Sequence, residues 1–96
     1  MKRQAVVINT SDNVATAVIN LSAGTTVKYF IGQNEAQLKI VQDIPFGHKF
    51  AINPIDIDNE IVKYGESIGS ATEKIKVGEH VHVHNMQSKR GRGDWK

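Results

Sequence analysis

The sequence contains no cysteine, so neither a disulfide framework nor a thiolate metal centre is open to it. That fits a reducing compartment, and the cytoplasm is the expected location. Long apolar runs are missing too. The N-terminal stretch Met1-Lys2-Arg3-Gln4-Ala5-Val6-Val7-Ile8-Asn9 begins basic, but its apolar run is short and no small-residue cleavage site follows, so it does not read as a signal peptide. Nothing approaches the ~20 apolar residues of a membrane span. A soluble chain without a membrane partner is expected. Aromatic residues make up 6% of the 96 residues, which limits the core to a modest one, and the length leaves no room for a second.

Several chemical signatures are also missing. There is no nucleophile elbow, phosphate loop or dinucleotide fingerprint, and Asp43, Asp56, Asp58, Glu60, Glu66 and Glu73 stand singly near turns, where solvation or capping accounts for them. A self-sufficient active site is not visible, and the chain is expected to be inactive alone. The formal charge of +2 is unevenly placed: Lys89, Arg90, Arg92 and Lys96 against Asp94 make the C-terminal end basic, and the rest is close to neutral. With Trp95 the only aromatic among those cations, a nucleic-acid partner has little support.

What is present is a rhythm of turns. The pattern apolar-x-x-Gly-x-x-apolar occurs as Leu21-Gly24-Val27, Ile44-Gly47-Phe50 and Ile75-Gly78-Val81, with Ile55-Asp58-Ile61 a copy in which Asp replaces Gly. Gly and Asp tolerate turn conformations that other residues avoid, so each copy reads as a tight turn feeding a strand, with an apolar residue pinned into the core on either side. Strands are predicted at 25–31, 36–41, 49–52, 60–64 and 79–85 from alternation and β-branched content. Ser11-Asp12-Asn13 offers helix caps, and Val14, Ala17, Val18 and Leu21 follow at helical spacing, which predicts a short helix over 13–22. Residues 71–76 suit a single further helical turn. From Met86 onward apolar periodicity stops, which predicts a domain over 1–85 and a flexible basic tail over 86–96.

His80-Val81-His82-Val83-His84 places three of the four histidines on one face of the predicted strand, with Val81 and Val83 facing inward. His-x-His on a strand is a recurring metal-ligand pair, which makes His82 and His84 the metal candidates, although a third ligand from elsewhere normally completes such a site. The competing reading, surface imidazoles that meet a substrate or another subunit, is the better supported. His48 and Lys49 follow the Gly47 turn, where Lys49 offers a cation to a carboxylate or sulfonate; Tyr64 is open to either a core or a contact role.

Taken in order, Gly47-His48-Lys49-Phe50-Ala51, then Ile61 to Ala71 and Ile75 to Asn85 with its closing Val-His-Val-His-Asn, resemble the N-terminal domain of the altronate and galactarate dehydratase family. The match covers about residues 12–85. It implies a mainly β, compact SAF-type β-clip fold, here with one or two short helices, normally joined to a much larger catalytic domain. Some members split the two parts into separate subunits, including altronate dehydratases and the similar sulfolactate sulfo-lyases. The resemblance therefore implies a small accessory subunit of a lyase, most simply of altronate dehydratase type, with a large catalytic subunit as partner. Its substrate would be a sugar acid or a sulfonated hydroxy acid. A divalent metal, iron or manganese, would serve the assembled complex, with most of its ligands on the large part. His48, Lys49, His82, His84 and Asn85 match the domain's signature and are the candidates for substrate binding or subunit docking. His80 is less typical of the signature.

Overall fold

The computed structural model describes residues 4–88. In every copy of the repeated pattern the chain makes the same turn. The fourth turn residue donates its N–H to the carbonyl of the first: Thr25 to Ser22 at 3.1 Å, His48 to Pro45 at 3.0 Å, Asn59 to Asp56 at 3.1 Å and Glu79 to Lys76 at 3.0 Å. The third residue lies in the left-handed region, with φ of 93° at Gly24, 86° at Gly47, 72° at Asp58 and 87° at Gly78. The residue before it does not, which makes all four type II turns. The N–H of that third residue then donates into a neighbouring segment, to the carbonyls of Ile40, Ala17, Ala71 and Ala51 respectively.

The turns associate in two pairs. Leu21 and Ile44 exchange N–H···O bonds at 2.8 and 2.7 Å, and Ile55 and Ile75 do so at 2.9 and 2.8 Å. The flanking apolar residues are buried in every copy and segregate by pair. Leu21, Val27, Ile44 and Phe50 join one core with Ala5, Val7, Ala15, Ala17, Tyr29, Ile40 and Ile52. Ile55, Ile61, Ile75 and Val81 join a second with Val14, Ala51 and Ala71.

Among the described residues nine short strands connect these turns: β1 (Ala5–Val6), β2 (Val14–Ala17), β3 (Thr26–Ile31), β4 (Asn34–Lys39), β5 (Lys49–Ala51), β6 (Glu60–Lys63), β7 (Glu66–Ala71), β8 (His80–Val81) and β9 (Met86–Ser88). They form three small sheets in the orders β1-β2-β5-β8, β3-β4 and β6-β7-β9, and every pairing is antiparallel. The first sheet separates the two cores. Ala15, Ala17, Phe50 and Ile52 point to one side, and Val14, Ala51 and Val81 to the other, as strand alternation requires.

The architecture is the mainly β fold expected, but among the described residues there is no helix. The segment predicted as a helix over 13–22 carries strand β2 instead. Its cap-like residues serve remote backbone. The Asp12 carboxylate, 4% exposed, accepts the N–H groups of Tyr64 (3.0 Å), Gly65 (2.8 Å) and Asn9 (3.2 Å). The Asn13 side chain accepts from the Val62 N–H and donates to the Glu60 carbonyl. Tyr64 and Gly65, at φ of 57° and 78°, are the two-residue type I′ turn between β6 and β7, so Asp12 holds a hairpin rather than a helix end. Residues 71–76 likewise contain no helical turn: Ile75 is bridged to Ile55. At the other end, Met86–Ser88 pairs with β7 and belongs to the sheet rather than to the expected tail; the remainder of that tail lies outside the described residues.

The four turns differ in what they tolerate. At Gly24 and Gly47 a Cβ would meet nothing within 4 Å, whereas at Gly78 it would run into the Lys39 carbonyl oxygen. Gly24→Ala should cost about 1–2 kcal/mol, the left-handed penalty alone. Gly78→Ala should cost more than about 3 kcal/mol, since backbone has to move as well. Asp58→Gly should be neutral or stabilising, because it relieves the same penalty. Chemical denaturation of the three variants checks this ranking, and an equal cost at Gly24 and Gly78 would contradict it.

Candidate functional site

Strands β5 and β8 pair with Lys49 opposite Val81 and Phe50 opposite His80. Cross-strand partners share a face, so His80 lies on the Phe50 face; His48, two residues before Phe50, extends along that same face. The result is a direct approach, with His48 Nδ1 2.9 Å from His80 Nε2. His82 stacks on His48 with ring centroids 4.6 Å apart, and His84 stacks on His80 at 5.3 Å. One ring nitrogen from each of His48, His80 and His82 lies within 4.8 Å of the others.

Past His80 the expected alternation breaks down. Strand β8 ends at Val81, and the chain turns over 82–85 with the Asn85 N–H donating to the His82 carbonyl at 3.1 Å. Val81 is fully buried, but Val83, expected to face inward, is 78% exposed. Asn85 itself is 5% exposed, and its side chain is taken up at both ends: Oδ1 accepts the His82 N–H at 3.0 Å, and Nδ2 donates to the His80 carbonyl at 2.8 Å. It positions the histidine segment. The His80 N–H is held from the other side by Gln42 Oε1 at 2.9 Å.

The site is electrostatically one-sided. Burial, then the neighbouring His48, His84, His82 and Lys49, lower the His80 pKa to about 4. Burial, with His48, Lys49 and His84, also lowers that of His82. Half-buried Lys49 is lowered by burial and by Lys63, and no carboxylate counters either effect. Near neutral pH His80 is therefore neutral, the form in which a ring nitrogen accepts a hydrogen bond or a metal. Lys49 is a cation without an acidic partner among the described residues. Tyr64 is 55% exposed in the hairpin turn, with the Lys63 ammonium 4.9 Å from its ring centroid.

The candidates His48, His82 and His84 thus gather in one region, with Lys49 near enough to lower the pKa values of His80 and His82 although its pairing with Val81 puts it on the other face of the sheet. The metal candidates His82 and His84 are separated, in that His84 is outside the set of converging nitrogens and His48 and His80 are inside it. Sequence reasoning missed the His48–His80 contact and the Gln42 anchor. A signal for the first was available: His48 and His80 each follow a copy of the same Gly turn, by one and two residues, at the start of strands that turn out to be neighbours.

Fold and site together define a small all-β module presenting an imidazole cluster flanked by a half-buried lysine. The family model of the altronate/galactarate dehydratase SAF domain matches residues 3–89, and the chain belongs to that family. It is 35% identical over 88 residues to the (2R)-sulfolactate sulfo-lyase subunit alpha of Chromohalobacter salexigens, a match covering 88% of this chain and 94% of that one. It is 36% identical over 81 residues to the altronate dehydratase of Bacillus subtilis and 38% identical over 85 residues to that of Escherichia coli, covering 84% and 88% of this chain. In both dehydratases the matched region is 16% of the whole, so this chain spans about one sixth of their length.

Two measurements check the site's electrostatics and its scaffold. In chelator-treated protein the His80 ring should titrate near pH 4, and its contribution to stability should be present above pH 6.5 and lost as pH falls toward 4, because the unfolded chain takes up the proton first. His80→Gln should remove that part of the acid sensitivity. Asn85→Ala, which leaves the His82 N–H and the His80 carbonyl without their partner, should cost about 1–3 kcal/mol. It should also move the His80 midpoint back toward 6.5. An NMR titration with the His80 midpoint at 6.5 in the wild-type chain would contradict the geometry.

Proposed function

We propose that this chain is the SAF-domain accessory unit of a metal-dependent lyase that eliminates water from a hydroxylated sugar acid of the altronate type. In this reading most catalytic groups lie on a separate large subunit. The observation that carries it is the pair of coverages: the same module accounts for 16% of two altronate dehydratases and for 94% of a sulfo-lyase subunit alpha. One module thus occurs both within a long lyase and as a subunit beside other machinery.

The chemistry of the site is compatible with that division. An anionic hydroxy acid needs a cation for its carboxylate and hydrogen-bonding groups for its hydroxyls, and Lys49 with His48, His82 and His84 offers both. Breaking a C–H and a C–O bond needs a general base and a group that assists the leaving hydroxyl. In the proposed division of labour the large subunit supplies these with iron or manganese. That metal would aid departure of the hydroxyl as a Lewis acid. A second reading, the small subunit of a (2R)-sulfolactate sulfo-lyase, is favoured by the near full-length match to subunit alpha.

Purified chain supplied with iron(II) or manganese(II) should not turn over altronate, galactarate or sulfolactate. Combined with the matching large subunit, it should yield either water elimination from a sugar acid or sulfite release from sulfolactate, which separates the two readings. Turnover by the chain alone, or a large subunit fully active without it, would overturn the proposal and leave a free-standing binding module. In the active complex Lys49→Gln should raise KM at least about tenfold, since it removes a charge-assisted contact with the acid group.

A further inference from the structure

The three converging nitrogens have a spacing that hydrogen bonding does not require of all of them. Between His48 Nδ1 and His80 Nε2, 2.9 Å apart, a single proton satisfies the pair, one ring donating and the other accepting. Among the described residues His82 has no ring hydrogen bond, yet its nitrogen lies within 4.8 Å of the other two. Imidazole nitrogens bound to one ion at about 2.0–2.1 Å stand roughly 3.0–3.4 Å from each other. The His48–His80 pair is already at about that separation, and rotation of His82, carried by the 82–85 turn, closes the set.

We propose that His48, His80 and His82 form a site for one divalent transition-metal ion, with its remaining coordination positions open. The backbone supports this use. His80 is fixed through its N–H by Gln42 and through its carbonyl by Asn85, and His82 through its N–H by Asn85, so two of the three ligands are mounted on restrained backbone. Three protein ligands with a free position is the arrangement of catalytic rather than structural metal sites. An all-imidazole donor set without a carboxylate selects zinc, cobalt, nickel, copper or iron(II) over magnesium and calcium. Metal entry requires the proton between His48 and His80 to move to the far nitrogen of the ring that carries it, so that both rings stay neutral with one N–H each and both facing nitrogens offer lone pairs. Lys49 opposes the incoming dication, which sets a lower affinity than the donor set alone would give. The inference concerns the isolated chain and does not depend on the accessory-subunit reading.

The test is titration of the tag-free full-length chain with zinc by calorimetry and with cobalt(II) by visible absorption. One ion per chain is expected. His48→Gln, His80→Gln and His82→Gln should each weaken binding at least about tenfold, His84→Gln should retain it within about twofold, and Lys49→Gln should tighten it severalfold. Imidazole NMR of the wild-type chain covers the case in which a variant fails to fold: substoichiometric zinc should shift His48, His80 and His82 ahead of His84. Binding unchanged by His80→Gln, binding lost equally with His84→Gln, or a uniform response of all four rings would each overturn the site. Because no lyase partner is present, failure here leaves the proposed function standing, and inactivity of the reconstituted complex leaves the metal site standing.

Discussion

The left-handed residue at the third position of each type II turn is the constraint from which the rest follows. It reverses the chain within four residues and leaves the turn's own N–H free to bond a neighbouring segment, as from Gly47 to Ala17 and from Gly78 to Ala51. Each reversal points its two flanking apolar residues inward. Two such turns bridged through Leu21 and Ile44 enclose one core, and two bridged through Ile55 and Ile75 enclose the other. A chain with few aromatics can therefore build a core from Ile, Val, Leu and Ala, because turn geometry sets where each is placed. Phe50, fully buried, and Tyr29, 5% exposed, are the large rings of the first core.

The site is a by-product of the same geometry. Gly47 and Gly78 start the neighbouring strands β5 and β8, so the residues just after them come side by side. His48 and His80, separated by 32 positions in sequence, meet at hydrogen-bond distance for that reason. Three rings this close would repel one another if all were charged. Burial and their mutual proximity instead hold His80 and His82 toward the neutral form, which removes the repulsion and leaves lone pairs available.

The turns were legible in the sequence because their requirement is local: Gly or Asp at one position and an apolar residue three away on each side. Most strands were legible from alternation for the same reason. What was misread depended on distant partners. Ser11-Asp12-Asn13 resembles a helix cap because capping needs a short acceptor near free N–H groups, but here those groups belong to Val62, Tyr64 and Gly65, about fifty residues away in the chain. Val83 looked inward-facing because nothing local announces that Asn85 will fold its amide back onto His80 and His82 and end the strand. The contact between His48 and His80 required the β5–β8 register, which no local pattern encodes.

Exposure around the cluster bears on how such a site would operate in a larger assembly. Phe46, two residues before His48, is 65% exposed, and Val83, between His82 and His84, is 78% exposed. Apolar side chains set beside imidazoles and a half-buried lysine make a surface whose electrostatics depend on being covered. In contact with water the attraction between Lys49 and an acid group is heavily screened; under a partner that excludes water the same attraction strengthens severalfold. A module of this kind contributes little binding energy by itself and more once enclosed. Enclosure of that kind is what the proposed division between a small and a large subunit would supply.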